Sequence, residues 1–140
     1  MDIGEKSNDA NLEFEQLKLL FDYTKFHIGL YTTIATIFGA LFAAGDKVPL
    51  RFQPVLLLCS AISVCIAGAA GGIIASSIPA FDSYSKFWDS PIGPLWFKGM
   101  KAKCWTHIEH IAFWIAIGLA IGSVLAPYAF EKPQHGLGYS

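Results

Sequence analysis

Three of the four histidines stand near carboxylates or near one another, and they are the side chains best equipped for chemistry: His27, five positions after Asp22, and the run His107, Glu109, His110. A histidine from each of two helices at matching depth is how a b-type haem is held. A histidine with a carboxylate can also hold an ion or relay protons. The ordinary alternative is that a histidine at a membrane boundary bonds a neighbouring carbonyl or reaches toward the headgroups. His110, Trp114, Gly118 and Gly122 follow at steps of four and so share one helix face. The run His107-Ile108-Glu109-His110 is one residue too short for a zinc-protease signature, and on a helix Glu109 lies about 200° round from His107. Gly68-Ala69-Ala70-Gly71-Gly72 has the glycines of a phosphate loop but sits inside an apolar run that no nucleotide can enter. Cys59, Cys65 and Cys104 offer no disulfide framework, although Cys104 beside Trp105 is open to S-acylation. With no nucleophile elbow, Walker sequence or CxxC, the chain reads as non-enzymatic, with no metal site assigned.

The elements that must carry these residues follow from the distribution of charge. Charged residues are 15% of the chain, against about 25% in a soluble domain. Residues 26–44, 54–78 and 111–130 contain no Asp, Glu, Lys or Arg. At about 1.5 Å per residue these runs reach roughly 28, 37 and 30 Å, enough to cross about 30 Å of hydrocarbon. Without water to satisfy the backbone, each must be a helix. The expected fold is a single all-α membrane domain: a charged cytoplasmic amphipathic helix in 1–25, transmembrane helices at 26–44, 54–78 and 108–130, an interfacial loop at 79–107 and an outer tail at 131–140. Glu15, Lys18, Asp22 and Lys25 form a charged stripe with alternating signs on the leading helix. Seven lysines lie in the N-terminal tail and the 79–107 loop, against three basic residues in 45–53 and the C-terminal tail. That bias places the N-terminus inside and the C-terminus outside. A net charge of −1 gives no field to draw in nucleic acid, so the bilayer is the expected partner.

Small residues dominate the spans. Ser60, Val64, Gly68, Gly72 and Ser76 recur every four residues, Ala67, Gly71 and Ala75 form a second row, and Gly118, Gly122 and Ala126 repeat the pattern in the third span. Such rows let backbones approach closely, which drives association in lipid. They serve to pack one protomer or, through the spare row, a homo-oligomer. Thr32, Thr33, Thr36, Ser60, Ser63, Ser76, Ser77 and Ser123 are available to line a pore or to bond helix to helix. The 79–107 loop interleaves Trp88, Trp96 and Trp105 with Lys98, Lys101 and Lys103, a composition suited to the headgroup region or to a partner-docking surface.

In outline, this combination of a short charged cytoplasmic helix and closely packed small-residue spans resembles the small multi-span membrane effectors of bacterial antiphage defence systems. The resemblance implies a toxin-like inner-membrane protein that oligomerises and permeabilises the bilayer when a cytosolic sensor or enzyme releases it. The alternative class is the membrane-anchor subunit of a redox complex, similar in outline to succinate dehydrogenase anchors. It would hold haem b or quinone through His27 and His107 or His110; the effector reading requires no cofactor.

Overall fold

A computed structural model describes residues 3–47, 51–94 and 99–129. The described chain is helical, with one isolated bridge between Pro91 and Lys101. Three helices are long and apolar enough to cross a membrane.

The first helix, α1 (Ile3–Ala44), runs unbroken for 42 residues, about 63 Å at the usual rise. The charged leading segment and the first span are therefore one rod. It stops at Gly45, whose φ of 51° is the left-handed turn that glycine adopts without a Cβ clash. The second helix, α2 (Pro54–Ser77), begins with the ring of Pro54 in the first turn and with Gln53 as its cap. The Gln53 side chain accepts from the Leu56 N–H at 2.7 Å. A 3-10 turn, Ile78–Ala80, and a short helix, α3 (Tyr84–Asp89), lead to α4 (Ala102–Ala129).

The third span thus starts six residues ahead of the expected position 108. Its early start is fixed by backbone pairing: the Ile92 N–H bonds the Met100 carbonyl at 3.0 Å, and the Ala102 N–H bonds the Ser90 carbonyl at 3.1 Å. Gly93 turns between them with φ 114°, and a Cβ there would stand 3.1 Å from the Trp105 indole. The glycine meets a conformational and a steric demand at once.

The long apolar helices are arranged with α2 in the centre. Within the protomer 39% of its most apolar stretch is buried, against 17% for α4 and 6% for α1. The α2–α4 seam is built of Ser60, Ala67, Ala70, Ala112, Ala116 and Ser123, all buried. Short side chains let Ser60 Oγ reach the Ala116 carbonyl at 2.6 Å. At the far end Pro127 lacks the N–H that would bond the Ser123 carbonyl four residues back. The Gln53 N–H takes that carbonyl at 2.8 Å instead, and Ser123 Oγ returns a bond to the Gln53 carbonyl at 3.1 Å. The exchange gives the freed Ser123 carbonyl a partner of the kind an apolar surrounding demands.

At the opposite end a small core forms around Phe87, fully buried, with Leu17, Ile74, Ile78, Ile92, Ala102 and Trp105. It joins the N-terminal half of α1 to α3 and the start of α4. Leu17, Leu20 and Phe21 turn toward this cap, whereas Leu12, Phe14 and Leu19 are exposed.

Candidate functional site

A buried carboxylate on α4 ties that helix to α1. Glu109 is 3% exposed and is the one buried charged residue among the described residues. Its Oε1 accepts the Tyr31 hydroxyl at 2.9 Å and lies 3.3 Å from His27 Nδ1. Leaving such a group unpartnered in an apolar interior costs several kcal/mol in principle, so α1 supplies both partners from one face, four residues apart. The carboxylate lies against α2 because Gly71 makes room: a Cβ there would stand 3.4 Å from Glu109 Oε1 and 3.4 Å from Ile28. Aromatic rings complete the wall, with Tyr31 against Phe113 at 5.4 Å and Tyr23 against His27 at 4.1 Å between centroids.

The four residues expected to form a polar cluster divide. His27 and Glu109 are in contact, and the His110 ring stands 6.2 Å from that of His27 at an interplanar angle of 75°. His107 has its Nδ1 2.6 Å from the Lys103 carbonyl, and His110 has its Nδ1 2.8 Å from the Thr106 carbonyl. Both follow the ordinary pattern of a boundary histidine bonded to its own helix. Among the described residues no group of three or more His, Cys, Asp or Glu is placed to hold a metal ion.

The small residues also divide. Gly68 faces Tyr31, Gly71 faces Glu109, and Gly122 faces Leu56 of α2, so these three work inside the protomer. A Cβ at Gly72 or Gly118 would meet nothing, as it would at Gly29 on α1. The hydroxyls follow suit. Ser60 and Ser123 bond between helices, whereas Thr32, Thr33 and Thr36 are exposed and bond back to carbonyls four residues earlier on α1. Ser63 and Ser77 bond carbonyls of their own helix in the same manner, and Ser76 one three residues back.

In the loop, Trp105 is not presented to a membrane or a partner. It is buried in the cap core, and its Nε1–H donates to the Ile92 carbonyl at 3.0 Å. The reason is that α4 begins early enough to carry Trp105 on its inward face. Trp88 is half-buried, edge-on to Tyr84 and Phe87. Lys101 and Lys103 both reach Asp89, at 3.3 and 2.9 Å. The hydrogen bond from Lys103, then that from Lys101, holds the Asp89 carboxyl below the usual carboxylate value. Trp96 and Lys98 lie outside the described residues.

Three participants, Tyr31, Glu13 and Gln53, are absent from the expected set. Tyr31 is four residues after His27, a spacing that places both on one face, but a tyrosine in an apolar run reads as filling. Glu13 on α1 accepts from Ser83 and, at 2.9 Å, from Ser85, so it pins α1 to the start of α3 across 70 positions. Nothing local to Glu13 signals that partner. The Gln53–Ser123 exchange was signalled by Pro127, since a proline inside an apolar helix frees the carbonyl four residues before it.

No family model, curated protein or solved structure matches the chain.

Proposed function

We propose that the chain is a small non-enzymatic effector of a bacterial inner membrane, oriented with its N-terminus inside, that associates with further copies of itself and depolarises the membrane when a cytosolic partner acts on it. The observation that carries this reading is the construction of α1. One rod spans from the cap to the far end of the bundle, yet only 6% of its apolar stretch is buried within the protomer. Its membrane half is tied to α4 through Glu109, and its leading half is tied to the cap through Glu13 and Leu17. A partner that displaces the leading half therefore pulls on the membrane half. The outer faces left free carry Gly29, Gly72 and Gly118, where neighbouring backbones can approach closely.

The test is controlled expression in a bacterium with a potential-sensitive dye, comparing the parent chain with a Gly29→Ile/Gly72→Ile/Gly118→Ile variant. These positions have open space around them, so the protomer is kept while close association is blocked. Gly68→Ile is unsuitable for this purpose because it presses on Tyr31. Rapid depolarisation that the triple variant abolishes is the expected result. Depolarisation unchanged in the triple variant, or none when the chain is made with its neighbouring genes and their trigger, overturns the reading.

A further inference from the structure

We propose that the surface where α1 adjoins α4 binds one anionic phospholipid with a hydroxylated headgroup, its acyl chain in the crevice between the two helices and its headgroup in a hollow on α4 nearer the cap. Two separate features of the surface lie in the order in which such a lipid presents its parts. The crevice, of about 250 Å³, is lined by apolar side chains alone, among them Ile34, Ile37 and Phe38 of α1 and Phe113, Ile117 and Ile121 of α4. The hollow, of about 330 Å³, is lined by Thr106, His107, His110 and Ile111. Thr106, His110, Phe113, Ile117 and Ala120 follow at steps of four, three, four and three, so hollow and crevice share one face of α4.

Size and lining decide what fills the crevice. An engineered cavity of about 150 Å³ lined by Leu, Ile and Phe stays dry and binds benzene, so walls without a polar group exclude water here too. From Phe113 to Ile121 the crevice extends about 12 Å along α4. A helix of a second copy, about 10–12 Å across, would take roughly 1,000 Å³ over that length, far more than the space present. A single alkyl chain fits a slot of this shape, and the surrounding hydrocarbon supplies it.

The hollow has the chemistry of the other end. His107 and His110 each have Nδ1 on a carbonyl of α4, at 2.6 and 2.8 Å. A carbonyl only accepts, so the proton of the neutral ring is on Nδ1 and Nε2 is an acceptor for a headgroup hydroxyl. One turn beyond His107, Lys103 shares the Asp89 carboxylate with Lys101, and two ammonium groups on one carboxylate keep a net positive charge for a phosphate. Val55, Leu58, Ile62 and Ile66, exposed along α2, give the internal control for ordinary lipid contact. The site stands independently of the effector reading, because neither oligomerisation nor depolarisation enters the argument.

The experiment reconstitutes the full chain in phosphatidylcholine vesicles that contain a small share of phosphatidylglycerol with a photoactivatable group on its acyl chain, and maps the adducts by peptide mass spectrometry. Adducts should concentrate in 34–38 and 113–121 over 55–66. Excess unlabelled phosphatidylglycerol should displace them, and an equal excess of phosphatidylcholine or of soluble glycerophosphate should not. Ala120→Phe, which fills the crevice from its own wall, should abolish the concentration of adducts while the helical circular dichroism is kept. If that variant fails to fold, the adduct map of the parent chain decides alone. Lys103→Gln should cut the advantage of phosphatidylglycerol over phosphatidylcholine about fivefold, the share of one lysine at an anionic surface. Adducts spread evenly over the three segments, displacement by phosphatidylcholine as readily as by phosphatidylglycerol, or adducts kept at both walls in a folded Ala120→Phe chain overturn the proposal. So does a chain without adducts at either wall that cross-links there to a second copy.

Discussion

The seam between α2 and α4 and the attachment of α1 solve the same problem in opposite ways. Along the seam the helices meet through Ala67, Ala70, Ala112 and Ala116, close enough for Ser60, Gln53 and Ser123 to bond backbone carbonyls on the other helix. Its hydrogen bonds depend mostly on the main chain. Within residues 26–44 of α1 the buried residues are large, Tyr31 and Phe38, and its polar ties to α4 converge on one oxygen of Glu109. Between α1 and α4 lies an apolar crevice of about 250 Å³ flanked by Ile34, Phe38, Val64, Phe113 and Ala116. Hydrocarbon gives no hydrophobic drive for helices to meet, so shape and hydrogen bonds decide how firmly each is held. The seam has both along its length. The attachment of α1 to α4 has its polar contact at one level, while the other polar tie of α1, Glu13 to Ser83 and Ser85, joins it to the cap.

The largest expected effect is therefore at the seam. Ala67 is fully buried, and Ala67→Leu forces α2 from α4 at a cost of about 3 kcal/mol, the upper part of the range for overpacking. Denaturation in mixed micelles, followed by helical circular dichroism, should show that loss. The same substitution at Gly118, in open space, should leave stability within about 0.5 kcal/mol. Equal effects at the two positions would mean that the seam is not close-packed.

A smaller, more local effect is expected at the α1 attachment. Glu109→Ala strands the Tyr31 hydroxyl, at about 1–3 kcal/mol for an unmet buried group. Tyr31→Phe removes one bond at about 0.6 kcal/mol, the mean for polar pairs inside bilayers. Hydrogen exchange should then rise along 26–38 of α1 while 60–67 of α2 and 112–123 of α4 stay protected. Equal loosening of all three segments would erase the distinction between a pair joined along its length and a helix tied to α4 at one level.

The spans were legible because three charge-free runs permit one structure in hydrocarbon. Their pairing was only partly so. The Ser60–Val64–Gly68–Gly72–Ser76 row follows a step of four, which drifts round a helix of 3.6 residues per turn. Ser60 and Val64 are consequently buried and Ser76 is exposed. The site was legible to the extent that chemistry-bearing types stand out against an apolar background, which picked out His27, Glu109 and His110. Tyr31 was hidden because its hydroxyl matters only once Glu109, 78 positions away, is placed beside it. The role of the loop was obscured for a related reason. Trp105 looks like an interfacial anchor by composition, and only the pairing of 90–92 with 100–102 turns it inward.

The smallest expected effect lies in the cap, where the ties face water. Asp89 bonds Lys103 and Lys101 in the open, and they lower its pKa below the unfolded value near 3.9. A carboxylate with a lowered folded-state pKa stabilises the fold above the unfolded value, and that contribution fades as pH falls through the folded-state value. Protection of the amides of Ile92 and Ala102, which bond across the base of α4, should thus be flat from neutral pH down to the ordinary carboxylate range and decline only in stronger acid. Asp89→Asn should flatten the acid limb, and raised salt should shrink it, because exposed pairs are screened within about 10 Å at 0.1 M. The Glu109 contacts, set inside the apolar bundle, should not respond to salt in the same titration. A salt-sensitive α1 together with a salt-insensitive cap would reverse the assignment of which ties are buried and which are exposed.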